Sequence, residues 1–165
     1  MARIQRIAPC LWFDTEAEPA ARYYVSIFRN SSVGRIAHYR KAGFEIHRKP
    51  EGSVMTVAFT LDGQEFLALN GGPQFKFNES VSLMVQCETQ DEIDYHWEKL
   101  GAGGDPNAQV CGWLKDKFGL SWQVVPANTD EYMAGEPKKS ERAIAAVMKM
   151  KKLDIAAIER AYNSE

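Results

Sequence analysis

The stretch Cys111-Gly112-Trp113-Leu114-Lys115-Asp116-Lys117-Phe118-Gly119-Leu120-Ser121-Trp122-Gln123-Val124-Val125-Pro126 reads as two strands joined by a tight turn. The first strand covers residues 113–116 and the second 120–125. Gly119 supplies the positive φ that the turn needs. Pro126 has no N–H for a ladder and ends the second strand. Strand alternation sends Leu120, Trp122 and Val124 to one face and Ser121, Gln123 and Val125 to the other. The first set can bury under a helix, while the second places an uncharged amide, Gln123, in the middle of the opposite face.

A strand and a helix lead into this hairpin. Over residues 80–87, Val81, Leu83, Val85 and Cys87 alternate with Ser82, Met84 and Gln86. Thr89-Gln90-Asp91-Glu92 then forms a capping box, in which Thr takes an orphan N–H and Glu reaches back. A helix to Leu100 follows, with Ile93, Trp97 and Leu100 on one stripe. The same pattern stands 74 residues earlier, Thr15 against Thr89. A strand over 3–13 has Ala8, Cys10 and Trp12 on one face and Ile7, Pro9, Leu11 and Phe13 on the other. Thr15-Glu16-Ala17-Glu18 repeats the box, Pro19 suits a first helical turn, and a helix through Phe28 carries Ala20, Tyr24 and Ile27.

After each helix come further strands. In the first half they cover 33–40, 53–61 and 65–70, with Asp62-Gly63 as a hairpin turn. In the second half a short strand near Gln109 or Val110 precedes the opening hairpin. The surplus of the first half falls at residues 41–52, which are polar and broken by Gly43, Pro50 and Gly52, and a mobile hairpin loop is expected there. Arg35, Arg40, Lys41, His47, Arg48 and Lys49 make that region basic, a solvated run in its plainest reading and a lid over an anion in its sharper one. The predicted fold class is therefore α+β: two tandem βαβββ modules with a C-terminal helical tail. The modules span 1–78, including the linker from Gly71 to Asn78, and 79–127, and the extension spans 128–165. Within the extension, 128–139 reads as loop, Ser140 as the N-cap of a helix to Met150, and Asp154 as the cap of a helix carrying Ile155, Ile158 and Tyr162.

Composition excludes several classes of function. Of 165 residues, 45% are hydrophobic and 25% charged, with a formal charge of −2, the profile of a globular domain with no basic footprint for nucleic acid. No apolar run approaches a membrane span, and the first residues lack the apolar stretch of a signal peptide. The cysteines, Cys10, Cys87 and Cys111, are odd in number and lack metal-type spacing, which points to a reducing compartment without disulfides. A cytoplasmic protein is expected, with no nucleic-acid or membrane partner.

Five stretches carry a resemblance: Pro9-Cys10-Leu11-Trp12-Phe13 with Ala20-Ala21-Arg22-Tyr23-Tyr24, Val54-Met55-Thr56-Val57, Leu69-Asn70-Gly71-Gly72-Pro73, Phe75-Lys76-Phe77-Asn78, and Cys111 through Pro126. With the duplicated module, they resemble the PhnB-like branch of the vicinal oxygen chelate superfamily, the fold of glyoxalase I, extradiol dioxygenases and bleomycin-resistance proteins. Members of this branch commonly carry the label 3-demethylubiquinone-9 3-methyltransferase. The resemblance implies a homodimer in which glyoxalase-like half-barrels of sheet enclose a small-molecule cavity. It also implies that metal-ligand positions fall at or near Pro9, at Ala68 or Asn70, at Ser82 and at Gln123. Those residues offer neutral oxygens at best, so no tight metal is expected.

Taken literally, the alternation puts Pro9, Leu11, Phe13, Phe66, Ala68 and Asn70 on the cavity face of the first module. The second module adds Ser82, Met84, Gln86, Ser121 and Gln123. The candidate ligand contacts are Gln123, Asn70, Ser82, Trp113, Phe66 and Leu11, suited to a small aromatic or quinone-like molecule. No catalytic residue is singled out. Cys111 has no base beside it and reads as an inert thiol. His38, His47 and His96 lack paired spacing and read as solvent-facing. No cofactor is expected, since Gly71-Gly72-Pro73 opens no helix and Gly101-Ala102-Gly103-Gly104 closes one. Two other activities stay open: a metal-assisted enzyme of the superfamily, and the methyltransferase of the family label. A protein that binds partners through its 140–162 tail is a further alternative.

Overall fold

The first alternating segment becomes β1 (Cys10–Phe13), and the amphipathic segment after it becomes α1 (Ala17–Ile27). This is a computed structural model, and it describes residues 4–164. β2 (Ser32–His38), the short α2 (Phe44–His47), β3 (Val54–Leu61) and β4 (Gln64–Asn70) complete the first module. The sheet order is β1-β4-β3-β2, with β1 parallel to β4 and the others antiparallel. Asp62 and Gly63 both take positive φ, 45° and 77°, as a primed two-residue hairpin requires. Ala17, Ala20, Ala21, Tyr24 and Ile27 of α1 are buried, and so are Leu11, Phe13, Val57, Phe59, Phe66 and Ala68. The Tyr24 ring stacks on Phe59 and Phe59 on Phe66, so these strand residues form the core beneath the helix.

Two expectations for this module change. The long first strand shortens to β1. Its expected start at Arg3 lies outside the described residues, and Ile4 and Ile7 are exposed. The Gln5 side chain does what backbone pairing would have done: its Oε1 accepts the Glu65 N–H and its Nε2 donates to the Glu65 carbonyl. The 41–52 loop is not plain hairpin. It holds α2 between Gly43 and Arg48, both left-handed, and is closed by Tyr39 N–H to Ser53 O and Gly52 N–H to Tyr39 O.

The second module repeats the topology in reduced form. β5 (Ser82–Cys87) and α3 (Gln90–Gly101) lead to a 3-10 turn (Pro106–Ala108), β6 (Trp113–Lys115) and β7 (Ser121–Pro126). The order β5-β7-β6, with β5 parallel to β7, repeats β1-β4-β3. The expected strand near Val110 survives only as a bridge from Val110 to Trp113. Asp116 ties the β6–β7 turn. Its Oδ1 accepts the N–H groups of Phe118 (2.8 Å) and Leu120 (3.1 Å), and its Oδ2 accepts the Trp122 indole N–H (2.8 Å).

The tail is more helical than expected. α4 (Thr129–Ala134) and the start of α5 (Pro137–Val147) fill the supposed loop, and α6 (Ile155–Asn163) follows. Glu136, not Ser140, caps α5 by accepting from Lys138 and Lys139 N–H, while Asp154 caps α6 as anticipated. By compactness the chain divides into one unit ending at Lys76 and another beginning at Phe77, which includes the tail. Neither sheet closes on itself. Among the described residues no helix is long and apolar enough to cross a membrane.

Candidate functional site

In the second sheet, Leu83, Val85, Cys87, Leu114, Trp122 and Val124 share the face covered by α3, where Ile93 and Leu100 are buried. The other face is laid out in rows by the strand register. One row is Ser82, Ser121 and Lys115; the next is Met84, Gln123 and Trp113. Gln123 Nε2 donates to Ser82 Oγ at 2.9 Å. Lys115 forms an ion pair with Glu79, and that contact is the main reason the Glu79 carboxyl lies below its ordinary range. Ser121 is 1% exposed, and its hydroxyl has no hydrogen-bond partner among the described residues. Three of the predicted contacts, Gln123, Ser82 and Trp113, thus meet on one face. Ser121, which the alternation had already placed on this face without naming it as a contact, and Lys115, which was not anticipated there, complete it.

In the first sheet the face assignment is corrected. Leu11 and Phe66 pack in the core under α1, where their apolar side chains leave water most completely. Asn70 is structural: its Oδ1 accepts the Ala17 N–H at 2.8 Å, its Nδ2 donates to Val54 O at 3.1 Å, and its carbonyl accepts the Tyr39 hydroxyl at 2.7 Å. The opposite face carries Cys10, Trp12, Thr56, Ala58, Leu67 and Leu69. Trp12 is its largest feature. The indole donates to Gly72 O at 2.8 Å and meets Phe75 edge-on at 4.9 Å. A signal for this was present in the duplication: a shift of 74 residues aligns Trp12 with Gln86 and Cys10 with Met84, on the non-helical face of the second sheet.

The donor set does not suit a divalent ion. Asn70 spends both amide atoms on the backbone, and Ser82 and Gln123 are neutral and bonded to each other. No three His, Cys, Asp or Glu side chains converge among the described residues. Nor do the glycine turns suit a nucleotide-like methyl donor. A Cβ on Gly71 would lie 2.1 Å from the Trp12 ring, so that glycine accommodates the indole, and no helix follows it.

The thiols and imidazoles are occupied otherwise. Burial, and then the Glu92 charge, push Cys87 up to about 11, and burial raises Cys10, which removes both as ready nucleophiles. Cys111 is half-buried, with its Sγ 3.8 Å from Met148 Sδ. His47 and His96 are half-buried rather than solvent-facing: His47 Nδ1 accepts the Lys49 N–H, and His96 Nδ1 lies 2.9 Å from Glu92 O. A cleft of about 610 Å³ at the N-terminal ends of α3 and α6, lined in part by Gln90, Asp94, Lys152 and Glu159, contains none of the predicted site residues.

Comparison with known proteins agrees with this architecture. A solved PhnB protein from Bacillus cereus is 36% identical, with 73% of this chain and 99% of that one covered and a TM-score of 0.61. Protein PA1353 from Pseudomonas aeruginosa shares the fold at 17% identity, covering 74% of this chain and 98% of its own, with a TM-score of 0.56. No curated protein matches the chain. Residues 5–125, which take in both sheets except the last residue of β7 and leave out the tail, match the model of the 3-demethylubiquinone-9 3-methyltransferase family, and the chain belongs to that family.

Proposed function

We propose that this protein is a PhnB-like member of the vicinal oxygen chelate superfamily that binds a small aromatic or quinone-like molecule without a tightly held metal ion, as a cytoplasmic homodimer. The observation that carries the reading is the row Met84, Gln123, Trp113 beside Ser82 and the unpartnered Ser121 hydroxyl. An indole and a thioether flank neutral hydrogen-bonding groups, the mixture that recognises a flat ring with one or two polar substituents. Lining this face with carboxylates or imidazoles would have favoured metal chemistry instead. The family name supports the ligand class through the aromatic nature of ubiquinone precursors, while the glycine turns offer no methyl-donor cradle.

Phenol and benzamide, titrated while the Trp113 indole and Gln123 amide signals are followed by NMR, test this reading. Both signals should move, and Gln123→Ala should weaken binding about tenfold through loss of a partly buried hydrogen bond. Signals unmoved by phenol, benzamide and benzoate alike would sink the reading. The same sample, run by sedimentation, should weigh as two chains.

A further inference from the structure

The Lys115–Glu79 pair has a position that ordinary surface pairs lack. β7 lies between β5 and β6, and Glu79 stands just ahead of β5. A contact from Lys115 on β6 to Glu79 therefore reaches across the start of β7, at the level of Ser121, which pairs with Lys115 on one side and Ser82 on the other. Buried hydroxyls nearly always find a partner. Ser121 has none among the described residues and is 1% exposed. An ammonium, an unpartnered hydroxyl and a carboxylate supplied by the chain itself thus lie together, one row from the Trp113 indole.

We propose that the ligand of this face is a small aromatic acid, its carboxylate held by Lys115 and Ser121 and its ring by Trp113 and Met84, with Glu79 acting as an internal carboxylate that the ligand displaces. The proposal rests on the reading of this face as an aromatic-binding site. A neutral ring beside a strongly hydrated ammonium gains little, whereas a carboxylate replaces one already bound there and keeps the charge paired. Glu79 is the more exposed member of the pair, 64% against 27% for Lys115, so it can swing into water while the lysine stays on the face. Its carboxyl stays ionised under Lys115, as an occupant of an anion site must.

Benzoate and its neutral counterpart benzamide separate the two levels of the claim. Glu79→Gln should tighten benzoate roughly two- to fivefold, the worth of an exposed competing ion pair, and leave benzamide unchanged. Lys115→Gln should weaken benzoate about tenfold and spare benzamide. A double exchange, Glu79→Lys with Lys115→Glu, should restore thermal stability while benzoate stays weak, which a merely structural ion pair would not do. Benzoate affinity indifferent to both single changes, or recovered by the exchange, overturns the proposal. Benzamide binding with no benzoate binding overturns the acid assignment alone, and failure of both probes to move Trp113 overturns the aromatic reading beneath it.

Discussion

Asp116 holds three donors on one carboxylate that is 3% exposed: the N–H groups of Phe118 and Leu120 and the Trp122 indole. Each would lose its partner with the carboxylate, and the indole N–H sits in a core that water cannot enter to replace it. Asp116→Ala should therefore cost about 3 kcal/mol in urea unfolding, and Asp116→Asn somewhat less, because an amide can still accept once or twice. In a Trp122→Phe background the Asp116→Ala cost should shrink, since one stranded donor is gone. An unfolding midpoint unmoved by Asp116→Ala would show that the turn holds without it. In the sequence the residue reads only as the end of the first hairpin strand, because nothing local reveals that a tryptophan six positions on will come back to it.

At the scale of elements, two helices begin in different ways for one reason. β1 and β5 pair in parallel with β4 and β7, so Phe13 faces Asn70 and Cys87 faces Pro126. The end of β4 therefore delivers an amide oxygen to the first N–H of α1, and the Thr15 box is not used: Glu16 stands at the cap and its side chain accepts from Thr15 N–H instead. Proline at the end of β7 delivers no such acceptor, and Thr89 caps α3 itself, accepting from Glu92 N–H. Both boxes were legible as helix starts. Which of them operates depends on a residue brought from more than thirty positions away, which local patterning cannot show. The face of the first sheet was misread for a similar reason: Leu11 and Phe66 suit a ligand cavity and a helix-covered core equally well by hydrophobicity. Gly71 gives a test of the corrected face. With the Trp12 ring where its Cβ would go, Gly71→Ala should cost about 2 kcal/mol and shift the fluorescence of Trp12. Pairing it with Trp12→Ala should remove most of the added cost, and an additive pair would mean that the indole does not lean on this glycine.

At the scale of the whole chain, the duplication was legible because strand, cap and helix recur with their spacing intact, and the globular-domain composition agreed with it. The two longer tail helices were legible from their patterning and from the Asp154 cap, but how the tail attaches was not, since much of that attachment uses backbone atoms that any residue supplies. Cys111 N–H donates to Met150 O and Gly112 N–H to Lys151 O, each at 2.8 Å, and the Gln90 side chain joins Leu153 O and Ile155 N–H. Leu153 and Ile158 are buried there, and Lys152 pairs with Asp94 at 2.6 Å. The apolar and charged parts of this attachment should respond differently. Leu153→Ala should destabilise the second unit by about 2–3 kcal/mol through lost burial and a residual cavity. Lys152→Ala should cost well under 1 kcal/mol, since both partners are near half exposed and screened by solvent. The ion pair has a defined pH signature. Lys152, and then Gln90, hold the Asp94 carboxyl below its unfolded value, so its contribution is complete above the ordinary carboxylate range and fades as pH falls through the lowered folded pKa. The small gap between the native protein and Lys152→Ala should therefore persist at neutral pH and close in strong acid. A gap that stayed constant down the acid limb would assign the effect of Lys152 to packing of its aliphatic stem, while an intact midpoint in Leu153→Ala would mean that burial of the tail does not contribute to the stability of the unit to which it belongs.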